Sequence, residues 1–392
     1  MLTASRTVQR FRDAMLGFLG LAGMWLAAPD AAAQNYETPA AQAILIDLET
    51  GTTLFQKEPD AHMAPANMAK LMTMAVVFDA IKAGRLSLDD EFVVSEHAWR
   101  TGGAPARTTT MFAALGSSIR VEDLIRGVII QSANDGCIVL AEGMAGSEAG
   151  FAAKMNEYAG KLGLTHSHFT NPTGLPDPAQ YMSARDIAKL TEHLIRDFPE
   201  YYKIYSEPEF TWNKIRQLNR NPLLSMNIGA DGLTTGSTDE SGFGVVGSAV
   251  SGGQRLLMVI NGAPSEKARD SEARKLFDWG FHEFERVELF GNDEVIAEAR
   301  VFNGETSHVG LVSHGPVEFL MPLESRDLIK AEVVYQGPLP APVKAGVEVG
   351  ILRVTSGDMT MEAPVFTGAD VGVGPLQSRA IDGLRELLLG WW

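Results

Sequence analysis

Residues 62–73 read HMAPANMAKLMT. Pro65 limits a helix upstream, and Met68, Leu71, Met72, Ala75, Val76 and Ile81 recur at helical spacing up to Gly84, which offers a stop. Asn67 is therefore expected at or near the N-cap, with Lys70 three positions on along the same face. A lysine in a first turn faces the positive end of the helix dipole, which lowers its pKa and suits it to act as a base. Alone, such a lysine says little, because most helical lysines are simply exposed. The chain on either side decides what the pair means.

Upstream, AILIDLETGTTLFQKEPD (43–60) alternates apolar and polar residues around a Thr-Gly turn and predicts a hairpin. Downstream, RVEDLIRGVIIQ, CIVLAEGMA, EAGFAAKMNEYAGKLG and SARDIAKLTEHLIRDF carry helical patterns. The period then changes to two. GFGVVGSAVSGGQRLLMVINGA (242–263) reads as two strands around Gly-Gly, and SEARKLFDWGFHEF as a helix closing the unit near residue 284. A hairpin, a helical block, strands and a closing helix make an α+β domain with one sheet, here 34–284. Short strands and turns from 285 to 373 predict a second, all-β domain, with no repeat of fixed period.

The 392 residues are 45% hydrophobic and 21% charged, a globular composition that excludes disorder and suffices for two cores. Arg6, Arg10 and Arg12 precede an apolar run (14–28) and a small-residue cleavage site after Ala33, so residues 1–33 are expected to be a secretory signal. The run has about 15 apolar residues where a membrane span needs about 20. Its removal leaves 359 residues and, with three Arg lost against Asp13 and Asp30, shifts the formal charge from −16 to −17. Such acidity disfavours nucleic acid as a partner. The solitary Cys137 allows no internal disulfide and is expected in the core, not as a reactive thiol. In PLQSRAIDGLRELLLGWW (375–392), Leu376, Ala380, Leu384, Leu387, Leu388, Trp391 and Trp392 share one helical side. Residues 374–392 therefore predict an amphipathic helix, lying along a membrane or docked on the β domain.

Three places could carry chemistry: Lys70; Ser132 and Asn134 in QSANDG, which flank Ala133 and could project together or merely cap a helix; and Thr234, Thr235 and Gly236, preceding a strand, where Gly236 would admit a ligand backbone. GFGVVG (242–247) matches a dinucleotide fingerprint but lies in a strand pattern with no helix after it. His166 and His168 have no acid or cysteine cluster nearby and read as surface loop residues, so neither a metal nor a cofactor is expected.

The order and spacing of the three places resemble the motifs of penicillin-recognising enzymes. With LGLTHSHFTNPTGLPD, YMSARDIAKL, IRQLNRNPLL, DGLTTGSTDESGFGVVGSA and EARKLFDWGF, the chain resembles the low-molecular-mass penicillin-binding proteins that act as D-alanyl-D-alanine carboxypeptidases, over essentially its full length. The resemblance implies a β-lactamase/transpeptidase-like domain, an antiparallel sheet with a helical subdomain, then a small β-rich domain and an amphipathic tail. It implies an exported, periplasmic protein attached peripherally to the inner membrane and acting on the D-Ala-D-Ala end of peptidoglycan stem peptides. In that family the first motif is Ser-x-x-Lys and the third Lys-Thr-Gly; here Asn67 stands at the nucleophile's position and Thr234 at the lysine's. Lys70, Ser132, Asn134, Thr235 and Gly236 match, as do Arg220 and Arg269, which the resemblance sets beside the terminal carboxylate. An amide nitrogen, delocalised into its carbonyl, forms no covalent acyl intermediate, and loss of a catalytic serine costs on the order of 10⁶ in turnover. Losing the third-motif lysine removes a charge-assisted contact of about 1.5 to 3 kcal/mol. The expectation is a stem-peptide binder that does not acylate. Two alternatives remain: turnover through Ser132 with Lys70 as base, and a membrane-bound scaffold without ligand.

Overall fold

The structure, a computed structural model, describes residues 36–323, 329–356, 359–377 and 379–380. The expected signal segment (1–33) and all but the start of the expected tail helix lie outside the described residues.

Strands β1 (Gln42–Asp47) and β2 (Thr53–Lys57) form the first hairpin, its turn closed by Gly51 at φ +70. Helix α1 (Lys70–Lys82) follows a 3-10 turn over Ala66–Ala69 and ends before Gly84, at φ +67. The helical block continues with α2 (Val121–Gln131), α3 (Asn134–Ala145), α4 (Glu148–Leu162) and α5 (Ala184–Asp197). Strands β3 (Ala230–Thr238), β4 (Gly242–Ser251) and β5 (Gln254–Ala263) return to the sheet. Gly252 and Gly253 both have positive φ, the conformation that a two-residue hairpin turn requires. Helix α6 (Glu266–His282) closes the unit. It starts five residues before the predicted stretch because Ser265 accepts a hydrogen bond from Ala268 N, a capping signal outside the apolar pattern.

The five strands run antiparallel in the order β2-β1-β5-β4-β3. Ile44, Val246, Leu257 and Val259 share a core with the helical block, whereas Leu45, Val245, Leu256, Met258 and Ile260 pack with Leu276 and Phe277 of α6. Burial on both faces explains why β4 and β5 read as near-continuous apolar runs.

From Phe284 the chain is β-rich: β6 (Phe284–Phe290), β7 (Val295–Phe302), β8 (His308–Val312), β9 (Val317–Pro322), β10 (Lys330–Tyr335), β11 (Glu348–Ser356) and β12 (Met359–Thr367) surround a separate core that includes Phe319 and Leu352. The two parts join. Thr360 of β12 pairs with Thr53 of β2, and Leu320 of β9 is buried in the α6-side core. Among the described residues no helix is long and apolar enough to cross a membrane.

Candidate active site

Asn67 does not cap α1. It lies inside the 3-10 turn, where neither Pro65 nor Ala69, the capping positions of the turn and the helix, makes a side-chain cap bond. The Asn67 side chain instead turns toward the helix: Lys70 Nζ donates to Asn67 Oδ1 at 2.6 Å and to Thr173 O at 2.6 Å. Lys70 is 4% exposed, and burial lowers its pKa to about 8. The positive charge of Arg220 pushes the same way, against Cys137 and Asp135. The expected direction holds, but its main cause is desolvation.

The turn bearing Asn67 is gripped from two sides. Ala66 adopts φ +48, an uncommon conformation for alanine. A Cβ on Gly174 would stand 1.8 Å from Ala66 O, and one on Gly236 would stand 3.1 Å from both Ala66 Cβ and Pro65 O. Gly236 is therefore small for the protein's own turn, a reason other than the expected ligand approach. Thr234, Thr235 and Gly236 lie within β3, not before it, opposite Val246, Val245 and Gly244. The Gly174 loop is shaped by Asn171, whose Oδ1 accepts from Thr173 N at 3.2 Å, Thr173 Oγ1 at 2.8 Å and Gly174 N at 2.8 Å.

Ser132 and Asn134 sit where α2 gives way to α3. Ser132 is left-handed (φ 60, ψ 36), and Ala133, the N-cap of α3, makes no side-chain cap bond. Ser132 is 5% and Asn134 2% exposed, yet Ser132 Oγ and Asn134 Oδ1 have no hydrogen-bond partner in the structure. Ser132 does cap α2, through its backbone N–H to Gly127 O, but its side-chain oxygen takes no part in the cap. Two buried, unpaired polar atoms are costly unless a ligand or water meets them.

Asp135 organises the wall beside them and was not singled out in the sequence, although it stands within QSANDG. Its carboxylate accepts from Met111 N and Ala113 N, each at 3.0 Å, and from Thr110 Oγ1 at 2.5 Å. Thr109 adds two clamps: Thr109 Oγ1 donates to Ser132 O at 2.6 Å, and Asn134 N to Thr109 O at 2.8 Å. Cys137 is fully buried, its thiol pushed up to about 12 by burial, as a core residue should be.

Of the two arginines, Arg220 is held by its backbone N–H to Ile130 O at 3.1 Å, and its charge reaches Lys70. Arg269 is buried in α6 and pairs with Asp270 at 2.8 Å; no bond ties it to Lys70, Ser132 or Asn134. His168 bridges to Tyr181, and His62 stacks on the same ring with centroids 4.0 Å apart. Among the described residues no group of three or more His, Cys, Asp or Glu could hold a metal ion.

The chain resembles known proteins along most of its length. The D-alanyl-D-alanine carboxypeptidase family profile matches residues 29–265, and that of the penicillin-binding protein 5 C-terminal domain matches 284–373. The chain is 40% identical to D-alanyl-D-alanine carboxypeptidase DacC of Escherichia coli (strain K12), covering 95% of this chain and 96% of that protein. Penicillin-binding protein 5 from Haemophilus influenzae superposes with a TM-score of 0.73 at 37% identity, over 86% of this chain and 98% of that one. Penicillin-binding protein 6B from Escherichia coli gives 0.66 at 34% identity, over 84% and 96%. The chain belongs to the D-alanyl-D-alanine carboxypeptidase family, with its transpeptidase-like α+β fold and C-terminal all-β domain.

Proposed function

We propose that the protein is an exported member of this family that recognises the D-Ala-D-Ala end of peptidoglycan stem peptides without forming an acyl-enzyme. One observation carries the reading: the turn that bears position 67 is packed against Gly174 and Gly236, yet its partly buried side chain is an amide bonded to Lys70. Ser132 Oγ and Asn134 Oδ1 are left for a ligand, and Arg220 supplies positive charge for a terminal carboxylate. Arg269 and Thr235 belong to that carboxylate site in this reading. The test is direct. Incubation with fluorescent penicillin followed by denaturation should leave the protein unlabelled, and a stoichiometric covalent band overturns the proposal. Calorimetry should find micromolar stem-peptide binding, weakened by Arg269→Ala; silence favours a scaffold acting through its β domain.

A second reading, turnover through Ser132 with Lys70 as base, draws on the unpartnered Ser132 Oγ and the lowered Lys70 pKa. Lys70 Nζ donates instead to Asn67 Oδ1 and Thr173 O, which favours the binder. D-alanine release abolished by Ser132→Ala would establish turnover. Periplasmic location with peripheral inner-membrane attachment is supported by the sequence of residues 1–33, which reads as a leader, and of 374–392, which reads as an amphipathic helix. Deleting residues 374–392 should release the mature protein from membranes, and unchanged association removes the anchor.

A further inference from the structure

Helices α1 and α3 lead away from the candidate active site, and a second cleft opens toward their far ends. Lys70 and Asn134 begin the two helices; Asp79 and Gly143, nine residues on in each, line a cavity of about 650 Å³. Nine residues of helix advance about 13 Å, which separates this cleft from the groove. Helix α4 contributes Lys154, Glu157, Tyr158 and Lys161 to the same cavity. A further hollow of about 610 Å³ over residues 81–90 shares Arg85, Leu86 and Asp90 with it, which lengthens the cleft into a trough.

The trough is polar but electrically balanced. Asp79, Asp90 and Glu157 are matched by Arg85, Lys154 and Lys161, and two pairs are closed, Arg85 to Asp79 at 2.6 Å and Lys161 to Glu157 at 2.7 Å. An ionic ligand gains no net field there, whereas a neutral one with several hydroxyls bonds to these side chains without breaking either pair. Val76, Leu86, Phe92 and Met144 supply apolar contact between the charges. Phe92 is seated on the α3 backbone, where a Cβ on Gly143 would stand 2.4 Å from its ring. Tyr158 is fixed from behind: its hydroxyl lies 2.8 Å from His193 Nε2, and His193 Nδ1 lies 2.6 Å from Asp197 Oδ2. The carboxylate takes the Nδ1 proton, so Nε2 accepts from Tyr158, whose oxygen keeps lone pairs for a ligand hydroxyl. Burial, helped by Asp79 and Asp197, pushes the Tyr158 pKa up to about 12, so the hydroxyl stays neutral.

We propose that this trough binds a linear oligosaccharide of N-acetylated amino sugars, the chemistry of a glycan strand, at a site apart from the groove formed by the motif residues. Its length suits a polymer. The C–H faces of the sugar rings and the acetamido methyl groups meet the apolar side chains, while ring hydroxyls meet Tyr158 and the two ion pairs. The site does not depend on what the groove binds.

Calorimetry of the mature protein with the tetramer of β-1,4-linked N-acetylglucosamine tests the proposal. The tetramer should bind, and affinity should fall about tenfold in Tyr158→Phe and in Glu157→Ala/Lys161→Ala, the latter pair being exposed on α4 and dispensable for folding. A pentapeptide ending in D-Ala-D-Ala should leave tetramer binding unchanged. Absence of binding, affinity that survives both substitutions, or displacement by the peptide each overturns the site.

Discussion

At position 67 the amide oxygen accepts from the Lys70 ammonium 2.6 Å away, in a buried site where the remaining acceptor is Thr173 O. Unlike a hydroxyl, the amide offers no oxygen that can lose a proton and attack an acyl carbon. Replacing both departures from the family pattern restores the missing atom and the missing charge. Asn67→Ser with Thr234→Lys should therefore regain covalent labelling by fluorescent penicillin, visible as a band on a denaturing gel, whereas Thr234→Lys alone should stay unlabelled. Lys70 also makes a pH prediction. The unfolded chain releases this proton near 10.5 and the folded protein near 8. Between those values the unfolded state holds more protons, so Lys70 makes stability rise with pH until both forms are neutral. Cys137, raised from 9.0 to about 12, acts oppositely once pH passes 9. Urea titrations at pH 8 and 9 should thus show an upward slope in the native protein that Lys70→Met lacks.

At the scale of elements, the site is a meeting of three short segments on rigid supports: the Ala66–Ala69 turn, the Gly174 loop and strand β3. Gly174 combines φ +78 with a Cβ position 1.8 Å from a backbone oxygen, which no rotamer can relieve. Gly174→Ala should cost about 1 to 3 kcal/mol from the backbone conformation alone, read as a lower urea midpoint, and should weaken stem-peptide binding by displacing the turn. Gly236→Ala meets contacts of 3.1 Å, so its stability loss should be smaller.

At the scale of the whole molecule, the N-terminal and C-terminal parts share a sheet and a packing surface. Tyr36 donates to Glu272 Oε1 at 2.6 Å while its ring lies against Phe55 and Trp279, and Trp279 meets Phe284 edge-on at 4.7 Å. One aromatic cluster therefore links the start of the described chain, β2, α6 and β6. Leu320 crosses from the C-terminal part into the α6-side core, where it is 3% exposed. Leu320→Ala should cost about 2 to 5 kcal/mol and, by loosening the junction, should broaden or split the calorimetric unfolding transition. A sharp, unshifted transition would show that the parts unfold independently of this contact.

The order of the elements was written locally. Helical spacing in residues 68–81, the Gly-Gly hairpin and the apolar runs of β4 and β5 are properties of neighbouring residues, and each element formed where that spacing placed it. The motif positions came from the resemblance to the family, which sets Asn67 and Thr234 where it has serine and lysine. What that amide touches was not local: Lys70 meets Thr173 across 103 positions of sequence, and Gly174 and Gly236 close on Ala66 from different parts of the chain. Whether Asn67 would cap its helix, why Gly236 has no side chain and what lowers the Lys70 pKa all depend on contacts and desolvation. Those exist only after distant segments have packed.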